Sequence, residues 1–135
     1  MTDRNRKLND YNEQLRLLDE RFENAQNRRK ETFERSAAEE REDAAAALRR
    51  KYVENRFAVK RLPQVAAAQG LSGGAVRSAF RRGAADYETG RENLIAERDR
   101  AMAKLTEAYT QGSEKDYETY AARLNALRRK YANVL

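Results

Sequence analysis

The chain contains no cysteine, no histidine and no tryptophan, and a single proline among its 135 residues. Without cysteine there is no disulfide framework and no thiolate chemistry. Without histidine the commonest general base and transition-metal ligand is missing. No apolar run approaches the roughly 18 residues of a membrane span, and the polar start MTDRNRKLND has no signal-peptide core. The expectation is a protein that is neither secreted through a signal peptide nor a partner of the membrane. Aromatic residues are scarce at 8% while charged ones reach 37%. So little apolar material suits a narrow buried seam better than a broad globular core, and the length allows at most one ordinary domain.

What is present favours long helices. Ala, Leu, Arg, Glu and Lys dominate, and all are good helix formers. Leu8, Tyr11, Leu15, Leu18, Phe22 and Ala25 are spaced 3, 4, 3, 4, 3, the step of a coiled-coil seam. That register fails at the next position, Arg29. Tyr11, Phe22, Phe33 and Ala44 then recur every eleven residues, a longer period that straightens a supercoil without ending the helix. One helix over 3–61 is predicted, weakest around Asn27 to Lys30.

Pro63 and three of the six glycines fall in RLPQVAAAQGLSGG, residues 61–74. Leu62, preceding proline, is disfavoured in helical geometry. Pro63 suits the first turn of a short helix ended by Gly70, and Ser72 suits the N-cap of the next helix. A helix over 73–111 follows, with Val76, Phe80, Ala84, Tyr87, Leu94, Leu105, Met102 and Tyr109 inward. Gly83 and Gly90 inside it each cost about 1 kcal/mol relative to Ala, tolerable where packing needs them. A break at Gly112 and a last helix over 113–133 carrying Tyr117, Tyr120, Leu124, Leu127, Tyr131 and Val134 complete the chain.

The arms on either side of the 62–72 tip match in length. The predicted fold is therefore all-α, a single domain forming a long antiparallel, coiled-coil-like helical hairpin with residue i facing roughly 134 minus i. Bending of both arms near Gly112 and Asn27 to Lys30, giving a shorter folded-back bundle, is a second arrangement compatible with the same pattern. So narrow a seam buries little, and self-association into a homo-oligomer is expected.

The tip is also where charge concentrates. Arg49, Arg50, Lys51, Arg56, Lys60, Arg61, Arg77, Arg81 and Arg82 are opposed only by Glu54. Nine cations against one anion give this stretch +8, more than the +6 of the whole chain. Charge gathered at one end steers anionic partners, an acidic protein face or nucleic acid. No recognition-helix, zinc or RNA-binding signature accompanies it. The start GLSGGAVR, with Arg77 one turn on, exposes backbone N–H groups able to meet a phosphate or carboxylate, but lacks the Gly-Lys-Ser/Thr of a Walker loop. The acidic clusters Glu39, Glu40, Glu42, Asp43 and Glu92, Glu97, Asp99 alternate with arginines on wet faces, so no catalytic residue, metal site or cofactor is expected.

The segment LPQVAAAQGLSGGAVRSAF, Leu62 to Phe80, followed by YETGRENL from Tyr87, resembles a group of small helical proteins encoded by tailed bacteriophages of Gram-positive bacteria. Leu62, Pro63, Ala67, Gly70, Leu71, Gly73, Gly74 and Tyr87 carry the likeness, over about 30 residues; Val76 and Arg77 stand where that pattern has an acid. The resemblance implies phage origin, a virion-associated or assembly role, and a place in the host cytoplasm or the virion. Together these readings predict a non-enzymatic structural or assembly protein. Its partner-binding tip would comprise Leu62, Pro63, Gly70, Leu71, Ser72, Gly73, Gly74 and Arg77, with the remaining basic residues as a flanking patch. A small inhibitor or nucleic-acid-associated factor using the same basic tip is the alternative.

Overall fold

A computed structural model describes residues 2–135 as two helices, α1 (Asp3–Ala68) and α2 (Gly74–Lys130). The all-α helical hairpin is therefore the fold, but its elements are longer than their local signals suggest. Helix α1 does not stop at Arg61: it runs through Pro63 to Ala68, so no separate short helix forms. Proline at an interior position removes the bond to the carbonyl four residues back. Here that carbonyl belongs to Val59, and both Val59 and Pro63 are exposed residues. Helix α2 likewise passes through Gly112 without a break, and no interruption marks Asn27 to Lys30.

The reversal occupies residues 69–73. Gly70, at φ 71°, ends α1: its N–H donates to the carbonyl of Ala67 (3.1 Å) and that of Leu71 to the carbonyl of Ala66 (2.8 Å). This pair of bonds is a Schellman ending, which needs a left-handed residue where only glycine escapes a steric penalty. Gly73, at φ 57°, then takes the N-cap place foreseen for Ser72, its carbonyl accepting from Arg77 N–H at 3.2 Å. Ser72 contributes its own carbonyl, to Ala75 N–H at 3.3 Å.

The helices pair in two compact units. Unit 1 joins the residues up to Ser36 with Lys104–Leu135, and unit 2 comprises Ala37–Ala103.

In unit 1 the eleven-residue repeat of α1 meets an eleven-residue repeat formed by Tyr109 and Tyr120 of α2 and Tyr131 just past its end. Tyr11 lies against Tyr131 (ring centroids 5.6 Å), Phe22 against Tyr120 (4.8 Å) and Phe33 against Tyr109 (5.2 Å). Each step of eleven up one helix is a step of eleven down the other, so residue i faces residue 142 minus i. The expected register, 134 minus i, is eight residues off because it was centred on a shorter first helix. Tyr117, assigned to the seam, is 62% exposed and meets Phe22 only edge-on at 6.3 Å.

The seam position that broke the heptad is the most informative residue of this unit. Arg29 is half-buried, and its guanidinium grips Asp116 with two bonds, Nε to Oδ2 and Nη2 to Oδ1 (3.0 Å). Gly112, one turn before Asp116, is buried beneath it: a β-carbon built on Gly112 would lie 2.6 Å from Cζ of Arg29. The glycine thus leaves room for a cation crossing the seam and does not stop the helix. The hydrogen bonds from Arg29 hold the Asp116 carboxyl below its ordinary pKa, with the guanidinium charge, and that of Arg28, acting in the same sense against partial burial. Gln26 and Ser113 exchange bonds beside this pair, and Tyr120 donates its hydroxyl to Asp19 at 2.7 Å. That last bond favours the neutral phenol and raises its pKa.

Unit 2 keeps the same eleven-residue rhythm with smaller side chains. Ala37, Glu40, Ala44, Ala47, Leu48, Lys51, Asn55, Leu62 and Ala66 are its sheltered positions on α1; Val76, Ala79, Tyr87, Gly90, Leu94, Arg98 and Ala101 are among those on α2. Gly90 repeats the device seen at Gly112: a β-carbon there would sit 2.6 Å from Nζ of Lys51.

Candidate functional site

The turn-proximal part of unit 2 departs from the seam rule, and the departure begins at Gly83. By the register of the helices Gly83 faces Val59, and nothing lies within 4 Å of where its β-carbon would be. Gly83 therefore does not admit a closely packed helix. It leaves a hole. With Ala58, Ala79 and Ala84 also small, α1 and α2 fail to close over each other. An open groove of about 520 Å³ remains, lined chiefly by Val59, Leu62, Phe80 and Tyr87, with Arg81 and Glu88 among its polar residues. Val59, at a seam position, is 46% exposed as a result, and Phe80 37%.

A second consequence of the eleven-residue phase concerns the outside of α1. Eleven residues in three turns advance each position by about 98°. Val53 and Phe57 then fall opposite the seam line that contains Ala44, Asn55 and Ala66. Both are exposed, Phe57 at 59%. Tyr52 and Phe57 are surface residues. Tyr52, Val53, Phe57, Val59, Val65, Leu71 and Phe80 make this end of unit 2 an apolar surface set among cations.

The predicted site residues distribute across this surface unequally. Leu62 is half-buried in the groove wall, and Pro63 is exposed on the last turns of α1. Gly70, Leu71, Ser72 and Gly73 form the exposed turn, and Gly74 and Arg77 open α2. Arg49, Arg50, Lys60 and Arg61 lie on the outer side of α1 and Arg82 on α2, all exposed; Arg81 borders the groove. Two basic residues are engaged elsewhere. Lys51 is half-buried over Gly90, so it leaves the free patch, and Arg56 donates to the Tyr52 hydroxyl at 3.3 Å with its guanidinium 6.0 Å from the ring centroid.

Motif reading missed Ala58, Val59, Ala79, Phe80, Gly83 and Ala84 as a set, because none is special alone. The signal available was the coincidence of small residues at facing positions of two eleven-residue repeats, legible only once the register is known. No group of three or more histidine, cysteine, aspartate or glutamate residues could hold a metal ion among the described residues. No described helix is long and apolar enough to cross a membrane. No protein family, curated protein or solved structure was found to match the chain.

Proposed function

We propose that the chain is a non-enzymatic structural or assembly protein that docks an acidic, amphipathic segment of another protein at the turn end of unit 2. The observation that carries the reading is the open groove at Gly83. Val59 and Phe80 beside it are only 46% and 37% exposed, so of the about 1.5–3 kcal/mol that full burial of each supplies, something under half is withheld, and a partner's apolar side chain would recover it. The surrounding arginines and lysines supply attraction and orientation for carboxylates. The resemblance of Leu62–Phe80 adds a narrower version of the proposal, an assembly or virion role in a tailed phage.

Nucleic acid is the second reading, favoured by the +8 balance of residues 49–82. Phosphate binding needs cations alone and gives no use to an apolar groove. Display of random peptides against the protein separates the readings. The docking proposal predicts recovered peptides that combine Asp or Glu with a bulky apolar anchor, and that lose binding to Gly83→Leu, which fills the groove. Peptides without that bias, together with DNA affinity that falls steeply with salt and survives Gly83→Leu, would overturn it.

A further inference from the structure

The outer face of α1 in unit 2 is unpartnered, and its charges are arranged in a way that one specific occupant would satisfy. Counting in steps of about 98°, Ala38, Glu39, Glu42, Ala46, Arg49, Arg50 and Val53 project away from α2, and all seven are exposed. The face is acidic in its first half and basic in its second, with small Ala46 between. Glu39 and Arg50 share one flank, eleven residues apart and so in the same angular position. Glu42 and Arg49 share the other flank. None of these four charges takes part in an ion pair or side-chain hydrogen bond among the described residues.

We propose that this face pairs with itself, joining two copies of the chain antiparallel about a twofold axis beside Ala46. A twofold pairing of antiparallel helices sets each flank against the same flank of the other copy. Glu39 then meets Arg50 of the second copy and Glu42 meets its Arg49, each contact made twice. Ala38 comes beside Val53 of the second copy, and the two Ala46 residues come together at the axis, where methyl groups let the backbones approach. A parallel pairing would set acid on acid and base on base. A purely acidic helix would satisfy Arg49 and Arg50 but repel Glu39 and Glu42, so the mixed face selects a second copy.

The interface spans 16 residues, roughly 24 Å of helix. One helix pair of that length covers well under the roughly 800 Å² per partner of a standard interface. The dimer is accordingly weak, concentration-dependent and loosened by salt. It is independent of the groove at Gly83, since neither Val59 nor Phe80 belongs to it.

Charge exchange tests the pairing. Sedimentation velocity over a concentration series is expected to show a monomer–dimer equilibrium for the native chain. Glu39→Arg with Glu42→Arg makes the face wholly cationic, and Arg49→Glu with Arg50→Glu makes it wholly anionic. Each variant alone should dimerise about tenfold or more weakly, and an equimolar mixture should regain a 1:1 complex. Circular dichroism checks that the variants stay helical. Because the chain has no cysteine, Ala46→Cys should form an intermolecular disulfide under mild oxidation in preference to Gln64→Cys. A strictly monomeric native chain, variants that dimerise as well as the native one, a mixture that stays monomeric, or equal linking at residues 46 and 64 would each overturn the proposal.

Discussion

Three glycines inside α2, substituted by alanine one at a time, should give three different answers. Alanine is favoured over glycine in a helix by about 1 kcal/mol. At Gly83 nothing lies within 4 Å of the new methyl group, so Gly83→Ala should keep that full gain. For a chain of this length it appears as a rise in melting temperature of about 3–5 °C. At Gly90 the atoms nearest the methyl are the Cδ, Cε and Nζ end of Lys51, a flexible tip that can swing toward solvent, so most of the gain should survive. At Gly112 it meets the guanidinium of Arg29, which Asp116 holds by two bonds. Displacing it forfeits charge-assisted bonds of about 1.5–3 kcal/mol when buried, and about 1–2 kcal/mol is reasonable for a pair whose side chains are 39% and 17% exposed. Gly112→Ala should therefore be neutral or destabilising by up to about 1 kcal/mol. In an Arg29→Ala background the obstacle is gone, and the same substitution should stabilise by about 1 kcal/mol. Thermal and urea melts followed by circular dichroism give all of these values. A role for Gly112 in seating Arg29 is ruled out if Gly112→Ala stabilises as much as Gly83→Ala, or if deleting the Arg29 side chain leaves its effect unchanged.

Acid should weaken unit 1 through Asp116: its folded pKa lies below the ordinary 3.8, so its contribution is present above that value and is lost as pH falls through the folded pKa. Asp116→Asn should flatten that part of the stability profile between pH 5 and 2. At the alkaline end the raised pKa of Tyr120 works in the opposite sense, its contribution being complete below pH 10 and lost as pH rises through the folded value. Tyr120→Phe should remove this dependence in spectroscopic pH titrations. Removing residues 40–50 together with 92–102 takes one full repeat from each arm and should leave a helical, cooperatively melting hairpin. Removing five residues from each arm rotates the seam by about 130° and should abolish the cooperative melt.

The hairpin was legible because its strongest signals are local and repeated. Tyr11, Phe22 and Phe33 announce an eleven-residue period, and Gly70 and Gly73 announce a turn that needs left-handed backbone. Helix ends were harder to read. Pro63 and Gly112 carry the residue types of helix boundaries, yet at both positions the surrounding helix prevails, and at Gly112 the missing side chain makes room for Arg29. Arg29 itself looked like the failure of a seam, since a charged residue at such a position makes sense only with Asp116, 87 residues away. The candidate site was half legible. The basic residues and the turn could be picked out from composition alone. The groove could not, because Gly83 and Val59 are unremarkable until the register brings them opposite each other.

The proposed docking of a partner in the groove at Gly83 can be read from the methyl NMR signals of Val59 and Leu62. A synthetic acidic amphipathic peptide, titrated into the labelled protein, should shift the methyl signals of Val59 and Leu62 while leaving those of Leu15 and Leu127 in unit 1 in place. The shifts should vanish in Gly83→Leu. Signals at Val59 and Leu62 that stay fixed, or that move equally in Gly83→Leu, would contradict the account.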